Sequence, residues 1–192
     1  MTWIVTCSGK KIDFLEPDPD QIDILDIAHA LSVMPRFTGH TLLHYTVAQH
    51  SYEVSRQCSP ENQLVGFAHD FTEAYIGDIS KPLKSVIGNV IEEIEHRLWQ
   101  AIAARFGLPT QIPDEVKEVD ARMLFTEKRD FLTKRGPKWG WEKEPYPEPL
   151  YRWFDRRNIV NKFLSRWNEL TPRPFCFESQ TTPDAPSGAH TI

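Results

Sequence analysis

Two histidines and one aspartate stand where helical periodicity calls for apolar core, and a second aspartate adjoins one of the histidines. His50 lies three residues after Val47 and four before Val54, and His69 lies four after Val65. Asp120 lies four after Val116 and three before Met123, and Asp70 follows His69 directly. Residues three and four apart share one face of a helix, so His50, His69 and Asp120 are expected to point inward. Each alone could be a hydrogen-bonded core residue. Together they offer nitrogen and oxygen ligands suited to a divalent ion such as Co²⁺, Mn²⁺, Zn²⁺, Mg²⁺, Fe²⁺ or Ni²⁺. Glu73 comes four after His69 and three after Asp70. On a continuous helix it projects over the same face, where a carboxylate could take a proton from water; the alternative is a solvated helix glutamate. Asp78 follows Gly77 and by itself reads as a turn aspartate. Lys81, just beyond, could bring positive charge to a phosphate. His40 and His44 are also four apart, but Gly39 makes a loop the expected context. His29, in an apolar stretch, reads as a buried, hydrogen-bonded histidine.

Helices must position these side chains. Ile24, Ile27, Ala28 and Leu31 fall at helical spacing behind Asp23 as N-cap, with a stop near Met34-Pro35. Further helices are expected over 46–58, 62–75 with an end near Gly77, 86–106 closed by Gly107, 114–131 and 155–170. Arg36 to His40 reads as a loop. Trp3 to Phe14 reads as a small hairpin around Ser8-Gly9. Residues 133–150, rich in proline, glycine, tryptophan and charge, read as a long ordered loop, and 178–192 as a disordered tail. The expectation is an all-α single domain over 1–177 with a small N-terminal extended hairpin.

Composition narrows the class. The chain of 192 residues is 40% hydrophobic and 26% charged, which excludes a disordered chain. Three cysteines, odd in number and scattered, exclude a disulfide framework or a cysteine-rich zinc cluster and point to a reducing cytoplasm. A net charge of −5 argues against a nucleic-acid polymer or an anionic membrane as partner. No apolar run reaches the roughly 20 residues of a membrane span, and no secretory signal opens the chain. The six tryptophans read as packing residues rather than a base-stacking platform.

The order His50, His69-Asp70, Asp120 resembles the signature of the HD-domain phosphohydrolases. The segment from Ala68 to Pro82, with its HDxxE, GD and P positions, is similar to the bacterial YfbR-like 5′-deoxynucleotidase group and to phage dATP triphosphohydrolases. Arg36-Phe37-Thr38-Gly39-His40 and Tyr45 to Ser51 resemble that group's arginine loop and first ligand segment. The likeness covers about Ile4 to Asp130. It implies an all-α HD fold and a metal held by His50, His69, Asp70 and Asp120. It further implies Glu73 and Asp78 as catalytic carboxylates, with Arg36 and Lys81 on substrate phosphate. Phe37 would pack against base or sugar, or serve as an ordinary core residue. The implied activity is metal-dependent hydrolysis of a (deoxy)nucleotide phosphoester, from a 5′-monophosphate or a dNTP, in the cytoplasm or that of a phage host. Homodimers are common in the group. The apolar residues of the fourth and last helices could supply such a face or a monomer core. Two other HD enzymes are disfavoured, because no Gly-Tyr-Pro motif occurs and Ala74 follows Glu73 where alarmone hydrolases carry Asp. The competing reading is a catalytically inert HD scaffold that binds a nucleotide or a protein.

Overall fold

The computed structural model describes residues 1–150 and 155–172; the expected domain limit at 177 and the tail 178–192 lie outside them. Strands β1 (Trp3–Val5) and β2 (Lys11–Asp13) pair antiparallel with Ile4 opposite Ile12. The rest is helical: α1 (Ile24–Val33), α2 (Val47–Gln57), α3 (Gln63–Ala68), α4 (Glu73–Ile76), α5 (Lys81–Ile87), α6 (Asn89–Phe106), α7 (Asp114–Phe131) and α8 (Arg156–Leu170). This is the expected all-α architecture with an N-terminal hairpin. Among the described residues no helix is long and apolar enough to cross a membrane.

Local chemistry explains the boundaries. Asp23 and Asp155 cap α1 and α8 by accepting from the N–H groups of Leu25 and Arg157. Thr46 and Gln49 form a reciprocal capping box at the start of α2. The helix expected over 62–75 is divided. Phe71, Glu73, Ala74 and Tyr75 each donate to the carbonyl three residues back, which tightens the chain between α3 and α4. The helix expected over 86–106 is also divided, by Gly88 at φ 80°, a conformation costly for any other residue. Its first part, α5, starts well before Val86, with a proline in its first turn, where a missing N–H costs nothing.

The core lies between α1, α2, α3, α6, α7 and α8. Phe67 meets Phe163 at 4.4 Å between ring centroids, and Phe71 stands edge-on to Phe106 at 6.3 Å. Asp26 on α1 anchors the hairpin turn, accepting from Ser8 N–H (2.9 Å), Ser8 Oγ (2.6 Å) and the Cys7 thiol (2.9 Å). Residues 133–150 strap along α7 without regular structure, as expected. Tyr146 N–H donates to Thr126 Oγ1 (3.0 Å), Leu150 N–H donates to Asp130 (2.9 Å), and Trp141 packs edge-on against Phe125 (4.6 Å). His29 departs from expectation: it is exposed on α1, with Arg156 Nη2 at 2.8 Å from its Nε2. Its neighbours Ala28 and Ile27 take the buried positions, and position 29 falls on the outer face.

Candidate metal centre

His50 is fully buried near the middle of α2, and His69 is buried just past the end of α3. Close approach of these helices brings the rings together. Their Nε2 atoms lie 3.2 Å apart. Each Nδ1 already has an acceptor: Glu127 Oε1 at 2.6 Å for His50, and the Gly66 carbonyl at 2.8 Å for His69. With both Nδ1 positions donating, each ring keeps Nε2 for the shared space between them.

Carboxylates enter that space from two elements. Asp120 Oδ1 of α7 lies 3.2 Å from His50 Nε2 and 3.9 Å from His69 Nε2. Asp70 places Oδ2 at 3.3 Å from His50 Nε2 and Oδ1 at 3.3 Å from His69 Nε2. His50, His69 and Asp120 form a group whose ligand atoms all lie within 4.8 Å of one another and could hold a metal ion. Asp70 borders that group but is not one of its three members. Asp120 turns toward the two rings as expected but stays partly open, with its side chain 41% exposed.

The donor set fits a divalent cation. Two imidazole nitrogens meeting head-on at 3.2 Å must share a proton or a cation, since their lone pairs repel. Burial and the Arg36 charge lower the His50 pKa. Glu127 and Asp120 outweigh them and push it up to about 10, so a proton fills the space when no ion does. Burial raises the Asp120 pKa, but its hydrogen bond and attraction to His50 hold it well below the usual carboxylate range. A cation in place of the proton serves the same carboxylates.

Glu73 begins α4 rather than continuing α3, so it is not simply one turn along from His69. It remains part of the cluster. It is buried, its Oε2 has no hydrogen-bond partner among the described residues, and burial together with Asp70 raises its pKa well above normal. Asp78, just past the Gly77 cap, is half-buried, and burial raises its pKa too. Both sense the charges of Arg36 and Asp70.

Arg36 opens a short 3₁₀ turn, Arg36–Gly39, in which Phe37 and Thr38 both hold φ at 54°. Two consecutive left-handed non-glycine residues store strain of about 1–3 kcal/mol each. A bridge between Pro35 and Thr46 and the bond from Arg36 N–H to the Tyr45 carbonyl hold this turn. The Arg36 side chain is only 9% exposed. Its Nη2 donates to Glu127 (3.1 Å), its Nη1 lies 3.5 Å from Asp70, and its buried Nε has no partner among the described residues. Phe37 is half-buried, 5.7 Å below the Arg36 guanidinium. Lys81 is exposed, with its ammonium 6.0 Å over Trp141. Lys84, not singled out in the sequence, is the lysine of α5 tied into the protein: it bonds Glu95 at 2.5 Å, and the charges of Glu73 and Asp70 also act on it. His40 and His44 are exposed and form no metal group with the cluster.

Glu127 is the residue that sequence reasoning missed. It lies seven residues after Asp120 and four after Met123, so the stripe that marked Asp120 also runs through it.

The fold and site together define a helical protein with a buried histidine–carboxylate cluster. No family model matches the chain. The chain belongs to the family of the uncharacterized protein YfdR of Escherichia coli strain K12. The two are 37% identical over 139 residues, 72% of this chain and 78% of that protein. An uncharacterized protein of Rhodobacter capsulatus is 36% identical over 124 residues, 60% of this chain and 63% of that relative.

Proposed function

We propose that the protein is a divalent-metal-dependent phosphohydrolase of the HD type acting on (deoxy)nucleotides. The observation that carries the reading is the pair of Nε2 atoms of His50 and His69, 3.2 Å apart and flanked by Asp70 and Asp120, with both Nδ1 atoms already committed. The order of these residues along the chain and the buried Glu73 agree with the resemblance to HD phosphohydrolases.

His50, His69, Asp70 and Asp120 would hold the ion. Bound there, a divalent ion lowers the pKa of water from 15.7 toward about 7 and polarises a phosphoryl oxygen. Glu73 supplies the proton acceptor: its buried Oε2 has no hydrogen-bond partner among the described residues and can accept from water. Asp78 orients substrate or water from the far side of the Gly77 turn. Arg36 carries the fixed positive charge facing Asp70, and its guanidinium fork suits phosphate oxygens. Lys81 adds a weaker phosphate contact at the rim, and Phe37 a surface for base or sugar.

A product assay tests this. Metal-free protein is reloaded with Mn²⁺, Co²⁺, Mg²⁺ or Zn²⁺ and given NMPs, dNMPs, NTPs and dNTPs, with products separated by chromatography. Orthophosphate from dNMPs makes it a 5′-deoxynucleotidase; triphosphate and nucleoside from dNTPs make it a triphosphohydrolase. No turnover with any ion or nucleotide refutes the reading and favours the inert scaffold.

A further inference from the structure

We infer that Glu127 is a positioning residue for this centre: one buried carboxylate that sets the tautomer of His50 and holds Arg36 against Asp70. The inference rests on the metal-site reading above.

Glu127 is fully buried on α7. A carboxylate there is tolerated only when its lone pairs are satisfied by charged or strongly polar donors. Its two oxygens divide the work. Oε1 takes the Nδ1 proton of His50 at 2.6 Å, and Oε2 takes a proton of Arg36 Nη2 at 3.1 Å. One side chain of α7 therefore ties α2 to the strained 3₁₀ turn.

Two consequences follow for the site. A carboxylate on Nδ1 leaves the Nε2 lone pair as the ligand atom and makes the imidazole a stronger donor. The other oxygen fixes Arg36 so that Nη1 reaches Asp70 at 3.5 Å. Glutamine has the same shape but cannot do both tasks. Its single oxygen accepts from His50 or from Arg36, and its NH₂ then faces the other donor. Glu53, the buried carboxylate of α2, pairs with Arg56 at 3.4 Å and is seen in no hydrogen bond to the His50 ring, so it serves as a control for loss of a buried charge.

The test is calorimetric titration of metal-free protein with Mn²⁺ alone, comparing wild type, Glu127→Gln and Glu53→Gln. Glu127→Gln should weaken Mn²⁺ binding about 10–100-fold, the usual effect of losing a carboxylate behind a ligating histidine. Glu53→Gln should stay within about two-fold of wild type, because Glu53 bonds Arg56 and not a ligating ring. Equal affinity of Glu127→Gln and wild type overturns the inference while leaving the metal site standing. No binding by wild type overturns both. Should Glu127→Gln fail to fold, ¹⁵N spectra of the wild-type imidazoles decide. A proton on Nδ1 of His50 supports the assignment, and one on Nε2 alone overturns it.

Discussion

Replacing Gly66 by alanine should loosen the packing that brings the two histidines together. An alanine Cβ would stand 2.6 Å from Cys58 Sγ and 3.6 Å from both Cys58 Cβ and Ser55 Cα. The last two are ordinary contacts, but the first lies well inside the contact distance. Cys58 is 5% exposed, so its sulfur has little room to turn away. Relief requires α3 to move off α2, and the carbonyl of Gly66 carries the bond that orients His69. Overpacking of this kind costs about 1–3 kcal/mol. The gain in helix propensity from glycine to alanine offsets about 0.5–1 kcal/mol of that. The net loss of about 0–2.5 kcal/mol corresponds to a fall of up to roughly 10 °C in Tm for a chain of this size. The assay is thermal unfolding of Gly66→Ala, Cys58→Ala and the double variant, with Mn²⁺ affinity measured alongside. Removing the sulfur should restore stability in the alanine background, giving a coupling of at least about 0.5 kcal/mol. A Gly66→Ala protein more stable than wild type, or single effects that simply add, would refute the reasoning.

Three further perturbations address the site and its support. Asp120→Ala should abolish the stabilisation by metal. At an ion concentration one hundred times Kd, wild type gains about 2.7 kcal/mol and the variant gains none, read as the ion-dependent change in Tm. Glu73→Gln should keep the metal but reduce kcat by about 10²–10⁴-fold; near-normal rates with nucleotide substrate would exclude it as the base. Asp26→Asn probes the hairpin anchor. Burial raises the Asp26 pKa, but hydrogen bonds from Cys7 and Ser8 outweigh it and the pKa is depressed. Its stabilising contribution is therefore present above the unfolded value of about 3.9 and fades as pH falls through the folded value. The variant should lose about 1–3 kcal/mol at pH 7, and the difference should shrink as the pH of urea unfolding is lowered from 7 through the folded value. A difference that stays constant across that range contradicts the assignment.

Helices with a cap written in their residues were readable in advance. Asp23, Thr46 and Asp155 mark the starts of α1, α2 and α8, and Pro113 precedes α7. The break between α3 and α4 was not readable, because no glycine or proline stands between Ala68 and Glu73. It arises from a run of bonds to the third carbonyl back and from the His69 ring bonding the Gly66 carbonyl, both set by tertiary packing. Gly88 was visible, but the expected helix runs through it from Val86, although the apolar face of Ile91, Ile94, Leu98, Ile102 and Phe106 begins only after it. In the site, the inward placement of His50 and His69 followed from periodicity. Asp120 also turns toward the rings but stays 41% exposed, since periodicity gives the direction of a side chain and not how much protein covers it. Glu127 lay on the same stripe as Asp120. A buried carboxylate there becomes intelligible only once His50 and Arg36 are seen to converge on it.

The most direct test of the metal centre is a crystal structure of the protein soaked in Mn²⁺, with anomalous difference density computed at a wavelength where manganese scatters. A single strong peak between His50 Nε2, His69 Nε2 and Asp120, with Asp70 closing on it, is the predicted result. Density free of any peak there, with the two rings still sharing only a proton, would contradict the account.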